Sequence, residues 1–185
     1  YNYKSLSRLY LNDFELGTGT DTEVVVNLYD VVSPLEIATL LSGMYAYSVF
    51  NSETEKLYIA RDLVGEKVLY TYEDDQATIF ASETRSIIEY LGHYQVDNEL
   101  INNYFFTRHL LMNEVTLFSG IRVISPGTVI EINLNSYSQT ILYNGSLSNL
   151  ISESKSETYA GCSEEELLEE LEEACRVSAR LLKPD

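Results

Sequence analysis

The chain has 185 residues, 45% of them hydrophobic and 22% charged, and a formal net charge of −17. That length and balance fit one globular domain, or one domain with part of another. The negative charge argues against a nucleic-acid partner, because it repels phosphate backbones.

A first helix is predicted from about Thr20. Thr20 and Glu23 have capping-box spacing, and Asp21 sits in the first turn, where a carboxylate favours the helix dipole. A second helix follows, with Ser33 as cap, Pro34 at the first helical position and Glu36 completing the box. The pattern then changes to period two. "MYAYSVF" (44–50), "KLYIARD" (56–62), "VLYTYED" (68–74) and "QATIFAS" (76–82) read as four strands, with "NSETE" and Asp74-Asp75 as polar turns. Their short links predict antiparallel pairing between neighbours. Fifteen tyrosines and no tryptophan suit such half-buried sheet faces.

"SETRSIIEYL" reads as a short helix capped by Ser82, and Asp97 as the cap of "NELINNYFFTRHLL". "IRVI" and "TVIEINL" flank Ser125-Pro126-Gly127-Thr128, where Pro then Gly fits a type II turn and predicts a hairpin. Residues 144–162 are polar, without period, and read as a linker. The last helix has a capping box at Ser163 and Glu166 and a stripe of Leu167, Leu171, Ala174, Cys175, Ser178 and Leu182. Its glutamates lead and Arg176, Arg180 and Lys183 trail, as the dipole prefers. A helix after a linker looks like the start of a second domain.

Cys162 and Cys175 make no CxxC pair and are expected to pack as small apolar groups. His93 and His109 have no metal-ligand spacing, so no metal site is predicted. No signal peptide or long apolar run is present, which points to the cytoplasm and away from a membrane.

Two places invite a chemical reading. Arg61-Asp62 and Glu66-Lys67 bracket Gly65 between two strands. A buried Arg–Asp pair could order an active site, but a loop that uses paired charges to satisfy its own backbone is commoner. Asp21 follows the flexible-looking "GTGT" and could grip a ligand's ammonium group; a plain helix-starting acid is an equal reading of the residues alone.

In chain order, "YNYKSLSR", "GTGTDTEVVVNLYD", "LSGMYAYSVFNSETEKLYIARDLVGEKVLYTYEDDQATIFASE" and "LFSGIRVISPGTVIEI" together resemble the asparagine synthetase family. The resemblance is to the back portion of that family's glutaminase domain, a class II glutamine amidotransferase of the N-terminal-nucleophile fold. It implies an α+β chain: a partial αββα sandwich of antiparallel sheets over 1–143, a linker over 144–162, and over 163–185 the first helix of a truncated α/β synthetase domain.

Family members hydrolyse glutamine with an N-terminal cysteine and use the ammonia, with ATP and Mg2+, to convert aspartate to asparagine. Tyr1 stands where these residues begin and is no substitute for that cysteine, so the resemblance implies a fragment with no catalytic residue of its own. Missing strands would leave apolar faces uncovered, so the isolated chain is expected to be inactive and marginally stable. Asp21 matches the family aspartate that receives the α-ammonium of glutamine, which makes it the one substrate-binding residue implied. Glutamine is the expected partner here, aspartate and ATP act through the synthetase domain, and an exposed strand edge leaves a homodimer open. Two other readings stand beside this one: a synthetase-like enzyme with another acceptor, of the β-lactam synthetase or lasso-peptide cyclase type, and a non-catalytic acidic interaction module.

Overall fold

The computed structural model describes residues 2–108, 114–145 and 163–181. They fall into two compact units, one holding the first three helices and the last, the other holding both sheets and two helices.

In the first unit, α1 (Tyr3–Tyr10), α2 (Asp21–Val31) and α3 (Pro34–Leu40) pack in sequence. Their core is Leu6, Leu11, Val24, Leu28, Val32 and Ile37. Val24 and Leu28 stand one helical turn apart on the inner face of α2, so burial overrides the strand preference of its four valines. Both caps are as predicted: Thr20 accepts from the Glu23 amide and Ser33 from the Glu36 amide. α1 has no cap side-chain bond and no sequence signal announces it. Asn2 instead ties the unit, donating to the Leu40 carbonyl and accepting from the Ser42 amide. The last helix, α6 (Glu164–Leu181), begins with the predicted reciprocal box, in which Glu166 accepts from the amide and hydroxyl of Ser163. Its stripe is not buried where it is described: Leu171, Ala174 and Cys175 are exposed.

The second unit is built on two antiparallel sheets. Strands β1 (Ala46–Asn51), β2 (Lys56–Arg61), β3 (Tyr70–Glu73) and β4 (Thr78–Ala81) lie close to their predicted places. They are followed by β5 (Arg122–Val123), β6 (Thr128–Asn133) and β7 (Ser138–Asn144). One sheet has the order β1-β2-β6-β7 and the other β4-β3-β5. Ile59 pairs with Ile130 and Leu57 with Ile132, facing a core completed by Leu69, Ile124 and Phe80 from around the second sheet. This is the α+β architecture of two antiparallel sheets and flanking helices that the resemblance implied.

Two pairings differ from expectation. β2 and β3 are not neighbours; β2 pairs with β6, and residues 62–69 carry the chain from one sheet to the other. β5 and β6 are not a hairpin either, since β5 pairs with β3 and β6 with β2. The Pro126-Gly127 turn, with Gly127 at φ +65°, is a second crossing between the sheets. β6 instead forms a hairpin with β7 through Asn133, whose side chain accepts from the amides of Asn135 and Ser136.

The predicted helix capped by Ser82 is α4 (Thr84–Leu91), which starts after Glu83 with no side-chain cap. It lies against β3 and β4 with Ile87 fully buried. α5 (Asn98–Thr107) is capped as predicted by Asp97, which accepts from the amides of Glu99 and Leu100. It ends at Arg108 in the left-handed region, earlier than the predicted Leu111. The predicted linker lies almost wholly outside the described residues.

Candidate functional site

Asp21 is the first residue of α2 and is exposed. Its Oδ1 accepts from the Thr22 amide at 2.7 Å and more weakly from the Thr22 hydroxyl. Among the described residues these are its hydrogen bonds, both to Oδ1, so no donor there meets Oδ2 of this exposed carboxylate. An exposed carboxylate at a helix start is able to receive a cationic group as a charge-assisted hydrogen bond.

The loop before it is more ordered than its glycines suggest. The Glu23 carboxylate accepts from the amides of Gly17 (2.6 Å), Thr18 (2.8 Å) and Gly19 (2.7 Å), and from the Thr18 hydroxyl (2.7 Å). Three successive amides thus converge on one anion. Donation from the Thr18 hydroxyl, then from the amides of Thr18, Gly17 and Gly19, pulls the Glu23 carboxyl down to about 2. Its anionic form is favoured by the folded loop, so that contribution is complete above the ordinary carboxyl range and is lost as pH falls toward 2. The amide resonances of Gly17, Thr18 and Gly19 should therefore titrate together with a midpoint near 2. A midpoint at the ordinary value of 4.5 would show that the loop is not held this way. The sequence assigned Glu23 only to a capping box with Thr20; the signal for more was a donor-rich Gly-Thr-Gly run just upstream.

Arg61 and Asp62, the other candidates, are turned inward at the crossing between the sheets, at 6% and 1% exposure. Arg61 donates through Nε to the Lys67 carbonyl (2.7 Å), through Nη2 to the Gly65 carbonyl (2.7 Å) and through Nη1 to the Ile124 carbonyl. Burial lowers its pKa, against the opposing effect of the adjacent Asp62 charge. The Asp62 carboxylate accepts from the amides of Glu66 (2.9 Å), Lys67 (3.0 Å) and Tyr45 (3.3 Å). The Asp62 carbonyl accepts from the amides of Gly65 and Gly127. Every one of these bonds goes to backbone, so the pair holds two crossings together and presents no group to a ligand.

A recess elsewhere in the sheet unit is lined by Arg122, Thr128, Gln139, Asp74 and Glu114. Glu73 and Asp75 line it too. Two of its four acids are engaged: Asp74 closes the β3–β4 turn by accepting from the amides of Gln76 and Ala77, and Glu114 accepts from the Ser125 hydroxyl.

Cys175 is exposed, contrary to the expectation that it packs as an apolar group, as is every α6 side chain whose burial is described. Cys162 and His109 lie outside the described residues. His93 is exposed and donates through Nδ1 to the Leu91 carbonyl. Among the described residues no three His, Cys, Asp or Glu side chains converge to hold a metal ion, and no helix is long and apolar enough to cross a membrane.

A family model described as a glutamine amidotransferase domain matches residues 1–144. The chain belongs to this family. The amidotransferase match takes in both sheets, the Glu23-tied loop, Asp21 and the Arg61–Asp62 crossing, and stops short of α6. The chain is similar to an asparagine synthetase [glutamine-hydrolyzing] of Bacillus subtilis, with 30% identity over 133 residues, 71% of this chain and 21% of that protein. It is also similar to asparagine synthetase B [glutamine-hydrolyzing] of Escherichia coli, with 33% identity over 89 residues, 48% of this chain and 16% of that protein. A second Bacillus subtilis asparagine synthetase is 27% identical over 139 residues, 72% of this chain and 18% of that protein. The amidotransferase chain therefore spans about a fifth or less of the length of these relatives.

Proposed function

We propose that the protein carrying this chain is a glutamine-hydrolysing asparagine synthetase, and that this domain binds glutamine with Asp21 receiving its α-ammonium group. The observation that carries the reading is the exposed Asp21 carboxylate, beside a tied loop, in a chain of the glutamine amidotransferase family. The similarity to glutamine-hydrolysing asparagine synthetases supports the asparagine product.

Within this reading the chain's own residues bind and orient; they do not cleave. Asp21 and the ammonium group form a charge-assisted hydrogen bond that fixes one end of the substrate, so the amide is presented in one orientation. The nucleophile is a cysteine other than Cys162 and Cys175, neither of which matches the family's nucleophile position, so residues 1–185 alone release no ammonia. In this reading ATP and Mg2+ are not held by these residues, whose sequence has no glycine-rich phosphate loop. ATP-dependent amide formation with aspartate belongs to a further domain, which α6 opens after the linker. A cytoplasmic location and pairing of two copies at an open sheet edge go with the same proposal.

The test is amino-acid analysis of reactions containing glutamine, aspartate, ATP and Mg2+. The protein at its natural length should form glutamate and asparagine, and residues 1–185 neither. Glutamate without asparagine would transfer the reading to another acceptor, and no glutamate would overturn it.

A further inference from the structure

We infer that Glu23 is a positioning residue of the glutamine site: by fixing Gly17–Thr20 it sets where Asp21 meets the substrate's α-ammonium group. This rests on the role proposed for Asp21. The geometry is specific. Glu23 and Asp21 stand two residues apart on the first turn of α2, and the loop that Glu23 gathers leads directly into Asp21. Thr20 adds a second tie, accepting from the Glu23 amide while its hydroxyl meets that of Thr18 at 3.0 Å.

An exposed acid after two glycines would otherwise sample many positions, and ordering it would weaken each binding event. With Glu23 in place the loop is ordered before substrate arrives. All four bonds to the Glu23 carboxylate come from donors on the loop, so that carboxylate is committed to the loop and Asp21 is left to the substrate.

A role that is only structural would affect any substrate equally, whereas positioning Asp21 affects recognition of the ammonium group. The readout is therefore the ratio of kcat/KM for L-glutamine to that for 4-carbamoylbutanoate, which is glutamine without its α-amino group. It is measured on the protein at its natural length. Asp21→Asn should lower the ratio about 100-fold, the loss of one charge-assisted hydrogen bond. Glu23→Ala should lower it about 10-fold or more, a part of the same discrimination. Glu23→Gln should fall between Glu23→Ala and wild type, since one oxygen still accepts while its NH2 group faces amide donors. The double variant should be no worse than Asp21→Asn, because both changes act through one contact.

An unchanged ratio in both Glu23 variants, with or without a lower melting temperature, would overturn the inference. So would additive losses in the double variant. If Asp21→Asn itself leaves the ratio unchanged, the proposed glutamine site fails and the inference with it. If Asp21→Asn lowers the ratio and the Glu23 variants do not, the inference alone fails.

Discussion

Replacing Asp62 by alanine is expected to cost about 4 kcal/mol of folding free energy, the largest effect of any single change considered for this chain. The carboxylate is almost fully buried and is the acceptor for three backbone amides, from Tyr45, Glu66 and Lys67. Alanine leaves those donors without a partner in a place water reaches poorly, and each such loss costs about 1–3 kcal/mol. It also leaves the buried Arg61 guanidinium without its neighbouring charge. Asparagine should recover part of the loss, because one oxygen still accepts while its NH2 group opposes an amide donor. Chemical denaturation followed by circular dichroism reads this directly. A midpoint for Asp62→Ala equal to wild type would mean that the crossing between the sheets does not depend on this side chain.

Gly65→Ala is the second large effect, at about 3 kcal/mol. Gly65 has φ +72°, a conformation that disfavours any side chain. An added Cβ would lie 2.7 Å from Pro126 Cγ and 2.8 Å from Arg61 Nη2. Neither neighbour is able to retreat. Pro126 is a closed ring on the other crossing, and Arg61 is pinned by three carbonyls, one of them belonging to Gly65 itself. Each kcal/mol moves the melting temperature of a chain this long by roughly 2–4 °C, so a fall of roughly 6–12 °C is expected. A melt within about 2 °C of wild type would contradict the packing described at this corner.

These two residues also show what the sequence could and could not convey. Charge density between two strands suggested either a site or a self-satisfying loop, and the backbone bonds of Arg61 and Asp62 decide for the loop. That the loop joins different sheets was hidden, because a short polar link between alternating segments looks the same whether the strands pair or part. The same ambiguity made Ser125–Thr128 look like a hairpin. Helices α2, α3, α5 and α6 were legible through side chains that cap them at fixed spacing. α1 was not, since its start uses no cap side chain and its hold on the fold comes through Asn2 and residues 40 places away. Strand β7 was missed although Asn133 and the polar residues after it mark a turn.

The site was legible in part. Asp21 stood out through its place at a helix start and through a family resemblance, and the chain does belong to the glutamine amidotransferase family. Glu23 was visible only as half of a capping box. Its wider role depends on three amides being folded onto one carboxylate, which spacing along the chain does not express.

Arg61, Asp62 and Gly65 hold the crossing between the sheets, while the role proposed for Asp21 is to meet the substrate. The measurement that tests this most directly is the KM for glutamine in the natural-length protein carrying Asp21→Asn. A rise of about 100-fold, at a melting temperature equal to wild type, is predicted from the loss of a charge-assisted hydrogen bond to the α-ammonium group. A KM unchanged from wild type would contradict it.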